Sequence, residues 1–178
     1  MTNPYKECPT FETENFTLRL VQLADSNDLF ACYSDVKAQA FFNADNCTTN
    51  FWFETQDTMR ECVKSWQKAC ENEEYIRFAI VDKKQERVVG TIEIFDKDVM
   101  TMQKSPVGIF RLDICSEYET YPLLKELFAL GVKEFFPLFN LEQMITKVVS
   151  TATTRIKAIS ALNFCAVGQK ALWVLDRA

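Results

Sequence analysis

Apolar and polar residues alternate along Phe16-Thr17-Leu18-Arg19-Leu20-Val21, the two-residue period of a strand with one buried face. Asp25 follows as a helix N-cap, with Asp28 three residues on. Leu29, Phe30 and Tyr33 supply the apolar side of the helix it opens. Positions 36–53 lose any period and carry Phe41, Phe42, Phe51, Trp52 and Phe53; a short helix and a loop are expected there. Thr55 is the next N-cap. Behind it Met59, Cys62, Val63, Trp66 and Cys70 recur at helical spacing, which predicts an amphipathic helix with one buried stripe.

Downstream the period returns to two. Tyr75 to Val81 and Arg87 to Phe95 read as strands, and the polar turn Asp82-Lys83-Lys84-Gln85-Glu86 joins them as an antiparallel hairpin. Gly108 to Cys115 is a further strand, after a loop containing Pro106. Pro122 opens a long helix and Pro137 closes it, with Leu124, Leu127, Phe128, Gly131 and Phe135 as its buried stripe. Gln143 to Val149 is a strand, and Ser150 or Thr151 caps a helix running through Leu162. Phe164 to Val167 and Ala171 to Leu175 form a last pair of strands. The order β-α-α-β-β-β-α-β-α-β-β predicts an α/β fold, a mixed central sheet of about six or seven strands with helices on both faces. No repeat, low-complexity tract or linker interrupts it, so residues 1–178 are read as a single domain.

Composition removes several chemistries from this picture. The chain has no histidine and four glycines, Gly90, Gly108, Gly131 and Gly168, where average usage would give roughly 12. Without histidine there is no Ser-His-Asp triad, HExxH zinc site or imidazole base. The glycines lie too far apart for a GxGxxG fingerprint or a Walker A loop. Fifteen Phe, five Tyr and three Trp promise a folded aromatic core. A net charge of −5 and a pI of about 4.9 argue against a nucleic-acid partner, which needs a basic face. The seven cysteines (Cys8, Cys32, Cys47, Cys62, Cys70, Cys115 and Cys165) are scattered without a CxxC pair. The N-terminus lacks a signal-peptide core, and no stretch is apolar enough for a membrane span. The expectation is a cytoplasmic protein with reduced thiols, no metal site and no membrane partner.

Three phrases, in order along the chain, carry a family resemblance. Phe11-Glu12-Thr13-Glu14-Asn15-Phe16-Thr17-Leu18-Arg19-Leu20 is similar to an opening strand "ETERLxLRxL". Phe78-Ala79-Ile80-Val81 with Val88-Val89-Gly90-Thr91-Ile92 resembles a central hairpin "FaIv…xxiGtixl". Ile156-Lys157-Ala158-Ile159-Ser160-Ala161-Leu162-Asn163-Phe164 resembles a late "SxRVLEKLGF" helix. Together they resemble the Gcn5-related N-acetyltransferases (GNAT), within them the RimJ/RimL-type branch, over nearly the whole chain. The resemblance implies the acyl-CoA N-acyltransferase fold and transfer of acetyl from acetyl-CoA to a primary amine, on a small molecule or a protein N-terminus. The amine attacks the thioester directly in a ternary complex. A carboxylate removes its proton, sometimes through water, and a Tyr or Ser often protonates the leaving thiolate. Neither histidine nor a metal is needed, and a homodimer is left open.

The sequence also departs from that family. Its Arg/Gln-x-x-Gly-x-Gly/Ala loop holds the CoA pyrophosphate with backbone N–H groups and a helix N-terminus. The corresponding stretch here, Cys115-Ser116-Glu117-Tyr118-Glu119-Thr120-Tyr121-Pro122-Leu123, has no glycine and no basic residue. Glu117 and Glu119 stand where two phosphates dock; one uncompensated like-charge pair at about 5 Å costs roughly 3 kcal/mol at an effective dielectric of 20. Pro122 removes one helix-start N–H. The late helix has Ala152 and Arg155 where the family commonly has Asn and Ser. Its Leu-Gly-Phe becomes Leu162-Asn163-Phe164, and Asn tolerates the left-handed conformation expected there. These departures define a second reading, a catalytically degenerate GNAT-fold protein acting as a binding or dimerisation module, because fold alone does not settle function.

Each candidate residue carries two readings. Glu93 shares a strand face with Thr91 and Phe95 and is a general base, directly or through water, or an ordinary solvent-facing residue. Asp113 is an alternative base beside Arg111 in the acceptor cleft, or the two pair with each other or with Glu93 across the sheet. By resemblance Ile114, Cys115 and Ser116 offer backbone groups to the pantetheine. Cys115 itself reads as a small buried thiol rather than a nucleophile. Tyr118 and Tyr121 donate a proton or stack on adenine, or simply pack. Arg155 takes over lost phosphate contacts, or is a solvated helix charge. The aromatic run from Phe41 to Phe53 lines an apolar acceptor pocket, or is core beneath a long loop.

Overall fold

Two-residue and 3.6-residue periods take turns along the chain, and the computed structural model follows them closely. It describes residues 3–42, 53–96, 106–168 and 171–177. Phe51 and Trp52 of the aromatic run lie outside these. The strands are β1 (Phe11–Glu12), β2 (Phe16–Leu20), β3 (Ile76–Asp82), β4 (Arg87–Asp96), β5 (Val107–Ile114), β6 (Gln143–Lys147), β7 (Cys165–Val167) and β8 (Leu172–Asp176). The helices are α1 (Ser26–Tyr33), α2 (Val36–Gln39), α3 (Gln56–Glu71), α4 (Tyr121–Leu138) and α5 (Thr153–Ser160). The strand order in the sheet is β1-β2-β3-β4-β5-β6-β8-β7. It is mixed, as expected: β5 and β6 pair in parallel, β2–β3 and β6–β8 antiparallel. The strand beyond the expected number is β1, two residues that pair with Thr17 and Leu18 and are too short to show a period.

The described chain divides into two compact units, Met1–Glu93 with Leu112–Tyr118, and Ile94–Arg111 with Glu119–Ala178. In the first, Phe16, Leu18, Leu29, Met59, Val63, Ile76 and Phe78 are buried. Thr55 caps α3 as expected, its hydroxyl oxygen accepting from the Thr58 N–H. Cys62 is only half-buried, so the α3 stripe is narrower than its spacing suggests. Asp25 does not cap α1 with its side chain. Its carboxylate instead accepts both guanidinium nitrogens of Arg19, at 2.8 and 2.7 Å, and the Gln22 N–H. Asp28 accepts the Val88 N–H at 2.9 Å. Gly90 is dictated by close approach: a Cβ there would sit 2.2 Å from the Asp113 carbonyl oxygen and 2.7 Å from Ile114 Cα.

In the second unit the core is Phe110, Leu124, Leu127, Phe128, Phe135, Met144 and Ile159. The Phe110 ring packs on Phe128 and Phe135. Neither Ser150 nor Thr151 caps α5; the N-cap position falls to Ala152, without a side-chain bond. Asn163 takes φ +67° after that helix, the left-handed geometry its side chain tolerates. No described helix is long and apolar enough to cross a membrane.

Candidate active site

Five polar side chains converge inside the first unit. Tyr33 closes α1, Arg77 lies near the start of β3, Thr91 and Glu93 share one face of β4, and Asp113 lies near the end of β5. Arg77, Glu93 and Asp113 are 1%, 3% and 1% exposed. The Arg77 Nη2 donates to Glu93 Oε2. Its Nη1 donates to Thr91 Oγ1 at 3.0 Å, Tyr33 Oη at 3.1 Å and Asp113 Oδ2 at 3.3 Å. The Tyr33 hydroxyl donates to Asp113 Oδ2 at 2.9 Å and lies 2.8 Å from Thr91 Oγ1. Trp66 stacks against the guanidinium at 4.2 Å. The Tyr33 ring packs among Phe42, Phe53 and Trp66.

This geometry corrects one of the two readings of Glu93, which is not a solvent-facing strand residue. Glu93 and Asp113 both form ion pairs with Arg77. Arg111 lies over the Phe95 ring in the second unit. Sequence reasoning missed Arg77 and counted Tyr33 only as an apolar helix position. The signal was present: an arginine between Ile76 and Phe78, in a strand otherwise apolar up to its terminal Asp82, must find buried partners or disrupt the strand.

The electrostatics of the cluster follow from its burial. Burial works against the Arg77 charge, but Glu93, Tyr33 and Asp113 outweigh it and hold the guanidinium well above its ordinary value. Burial first, and then the Asp113 charge, push the Tyr33 phenol well above its ordinary value. Tyr33 is therefore a fixed O–H donor at neutral pH. Two carboxylates, one guanidinium and two hydroxyls form a continuous hydrogen-bonded set that can orient a polar group and accept a proton.

The segment after β5 is pinned within the same unit. The Cys115 N–H donates to the Val89 carbonyl at 2.9 Å, and the Tyr118 N–H donates to the Cys115 carbonyl at 2.9 Å. The Ser116 N–H donates to the Asp35 carboxylate at 2.9 Å. The Tyr118 hydroxyl donates to Asp82 at 2.7 Å, and Arg87 pairs with Glu117. Burial first, and then Asp82, push the Tyr118 phenol up, so its proton stays with it. Burial opposes the Asp35 charge, but hydrogen bonds from Ser116, Lys37 and Ala38 outweigh it and hold the carboxyl below its ordinary value.

In the second unit Arg155 is 1% exposed and is no solvated helix charge. Its Nε lies 3.0 and 3.1 Å from the two Glu119 oxygens, and its Nη2 also donates to Glu119. Tyr121 is half-buried at the start of α4, with the Lys157 ammonium 4.7 Å from its ring centroid. Of the expected site residues, Glu93 and Asp113 thus share one buried cluster. Ile114, Cys115, Ser116 and Tyr118 follow on the adjoining segment of that unit, and Tyr121 and Arg155 belong to the other.

No protein-family model matches the sequence, and no curated protein matches it. Solved structures do. The chain is similar to the ribosomal-protein-S5-alanine acetyltransferase from Vibrio fischeri, at 16% identity and TM-score 0.74, over 94% of this chain and 96% of that one. It is similar to Mycobacterium smegmatis RimJ in complex with CoA-disulfide, at 12% identity and TM-score 0.72, over 90% and 81%. It is also similar to spermidine N-acetyltransferase from Vibrio cholerae in complex with CoA and spermine, at 14% identity and TM-score 0.65, over 91% and 93%. The strand order, the parallel β5–β6 step and these likenesses converge on one architecture: the chain has the fold of the Gcn5-related N-acetyltransferases.

Proposed function

We propose that this protein transfers an acetyl group from acetyl-CoA to a primary amine by direct attack on the thioester, with residues 1–178 working as one domain. The observation that carries this reading is the fold: the three solved structures named above are of acetyltransferases by their names, or RimJ, and two of them hold CoA or its disulfide. Glu93 and Asp113 suit the proton-accepting role. Both are carboxylates on neighbouring strands, and Arg77, Tyr33 and Thr91 hold them in place, so little freedom is lost in orienting them. In this reading one of them takes the ammonium proton, directly or through water. Tyr121 returns a proton to the leaving thiolate, and the backbone of Ile114, Cys115 and Ser116 runs beside the pantetheine.

The loop after β5 does not fit the donor's diphosphate in the family manner. The Ser116 N–H is held by Asp35, and the Arg155 guanidinium is held by Glu119. That occupancy favours a second reading, in which the fold survives as a binding or dimerisation module.

Melting the protein with millimolar acetyl-CoA separates the two. Saturation at 10–100 times the dissociation constant adds about 1.4–2.7 kcal/mol of stability. An unchanged melting curve leaves the binding-module reading standing and removes the enzyme. If binding is seen, Glu93→Gln and Asp113→Asn identify the base: the one that serves loses about 10²–10⁴-fold in kcat while acetyl-CoA binding is kept.

A further inference from the structure

Cys32 and Cys115 are 83 positions apart in the chain and meet at one carbonyl. The Cys32 thiol donates to the Val89 oxygen at 3.4 Å, and the Cys115 backbone N–H donates to the same oxygen at 2.9 Å. Both thiols are free, and the shared Val89 carbonyl sets Cys32 beside Cys115. Each also adjoins the buried cluster: Cys32 precedes Tyr33, and Cys115 lies two residues beyond Asp113. A covalent link here would join α1 to the segment following β5 and clamp both ends of the Tyr33–Asp113 hydrogen bond.

We propose that Cys32 and Cys115 are a dithiol site that a hydroperoxide, such as hydrogen peroxide, converts reversibly to a disulfide. Cys115 reacts first, because it is 7% exposed while Cys32 is fully enclosed. The neighbouring Cys32 thiol first, and then the Arg87 charge, lower the Cys115 thiol against the effect of burial and favour its thiolate, the reactive form. The Cys115 sulfur attacks one peroxide oxygen. An S–O bond forms, the O–O bond breaks, and the departing hydroxide takes up the thiol proton as water. The Cys32 sulfur then attacks the Cys115 sulfenic acid. The S–S bond forms, the S–O bond breaks, and a second water leaves with the Cys32 proton. Two thiols and one peroxide give one disulfide and two waters. The inference stands on the first unit alone and holds whether or not the protein is an acetyltransferase.

The test treats the folded protein with a few equivalents of hydrogen peroxide, alkylates the remaining thiols and maps peptides without reduction. The expected product is a Cys32–Cys115 linked peptide, lighter than the two separate peptides by two hydrogens and released by dithiothreitol. In Cys32→Ser, a dimedone adduct should accumulate on Cys115, since nothing is left to resolve the sulfenic acid. The proposal is overturned if both thiols stay alkylatable at a dose that oxidises the exposed Cys165, or if Cys115 goes to sulfinate in the intact protein. A bridge between other cysteines overturns it equally. Should Cys32→Ser fail to fold, the wild-type peptide map alone decides.

Discussion

Arg77 and Arg155 are both buried almost completely, yet they are neutralised in different ways. Arg155 gives its Nε and Nη2 to one carboxylate, Glu119, in a forked ion pair. Arg77 is shared among Glu93, Asp113, Thr91 and Tyr33, with Trp66 against its face. That set gathers two carboxylates, Glu93 and Asp113, on one guanidinium. A buried ion pair is replaceable by packed apolar side chains at little cost, since desolvation offsets most of its attraction. A buried network of charged and polar groups shared across several elements is a poor device for stability alone. Perturbed ionisable groups gathered in this way mark functional sites more often than structural ones, which is why the two arginines are assigned different roles.

The sharpest way to break this comparison is to remove each arginine and keep its carboxylates. Arg77→Met takes the shared guanidinium from the buried Glu93 and Asp113 and should destabilise the protein by about 3–5 kcal/mol, read as a lower urea midpoint at constant slope. Adding Glu93→Gln and Asp113→Asn should restore most of that loss, because the penalty lies in the buried charges. If Arg77→Met alone is tolerated within about 1 kcal/mol, the cluster is not the tightly coupled network its distances describe.

Arg155→Met should cost less, about 2–3 kcal/mol, because Glu119 keeps about a tenth of its side chain exposed. The informative variant is the double one, Arg155→Met with Glu119→Leu. A buried ion pair whose attraction desolvation offsets predicts stability within about 1 kcal/mol of the parent. If acetyl-CoA binding then appears or strengthens in the melting assay with Glu119→Gln alone, the carboxylate was blocking an anion site. If binding is unchanged, Arg155 serves packing only.

The two regions also differ in how far they could be read from sequence. Period and punctuation located nearly every element, because alternation in β2 and the Thr55 cap of α3 are local signals. The misplacements are equally local in cause. Asp25 reads as a cap, but Arg19 offers its carboxylate a charge-assisted forked bond, which is stronger than a capping one. Both acids of the cluster were legible as carboxylates on strands. What the sequence could not give was their cation. Arg77 is on β3 and Glu93 on β4, and only the register between those strands brings them together. The Glu119–Arg155 pair was hidden for the same reason: its halves are 36 positions apart, joined by tertiary packing. Gly90 read as a matched motif letter, and the structure supplies its physical need, the approach of the Asp113 carbonyl.

Asp35 gives the smallest expected effect and a contrast to both arginine sites, since Ser116 and the N–H groups of α2 hold it rather than a cation. It caps α2 by accepting the Lys37 and Ala38 N–H groups and reaches Ser116 with its other oxygen. Loss of such a cap in Asp35→Ala should cost about 1 kcal/mol at neutral pH. The folded carboxyl is held below its unfolded value by hydrogen bonds that outweigh burial. Its contribution is therefore fully present above the unfolded value, about 4, and is lost as pH falls through the lower folded value. The difference between parent and Asp35→Ala should stay flat from neutrality down to about pH 5 and shrink on further acidification. A difference that grows on acidification would mean the carboxylate is held against its chemistry. It would then resemble the charges gathered around Arg77 rather than a backbone cap.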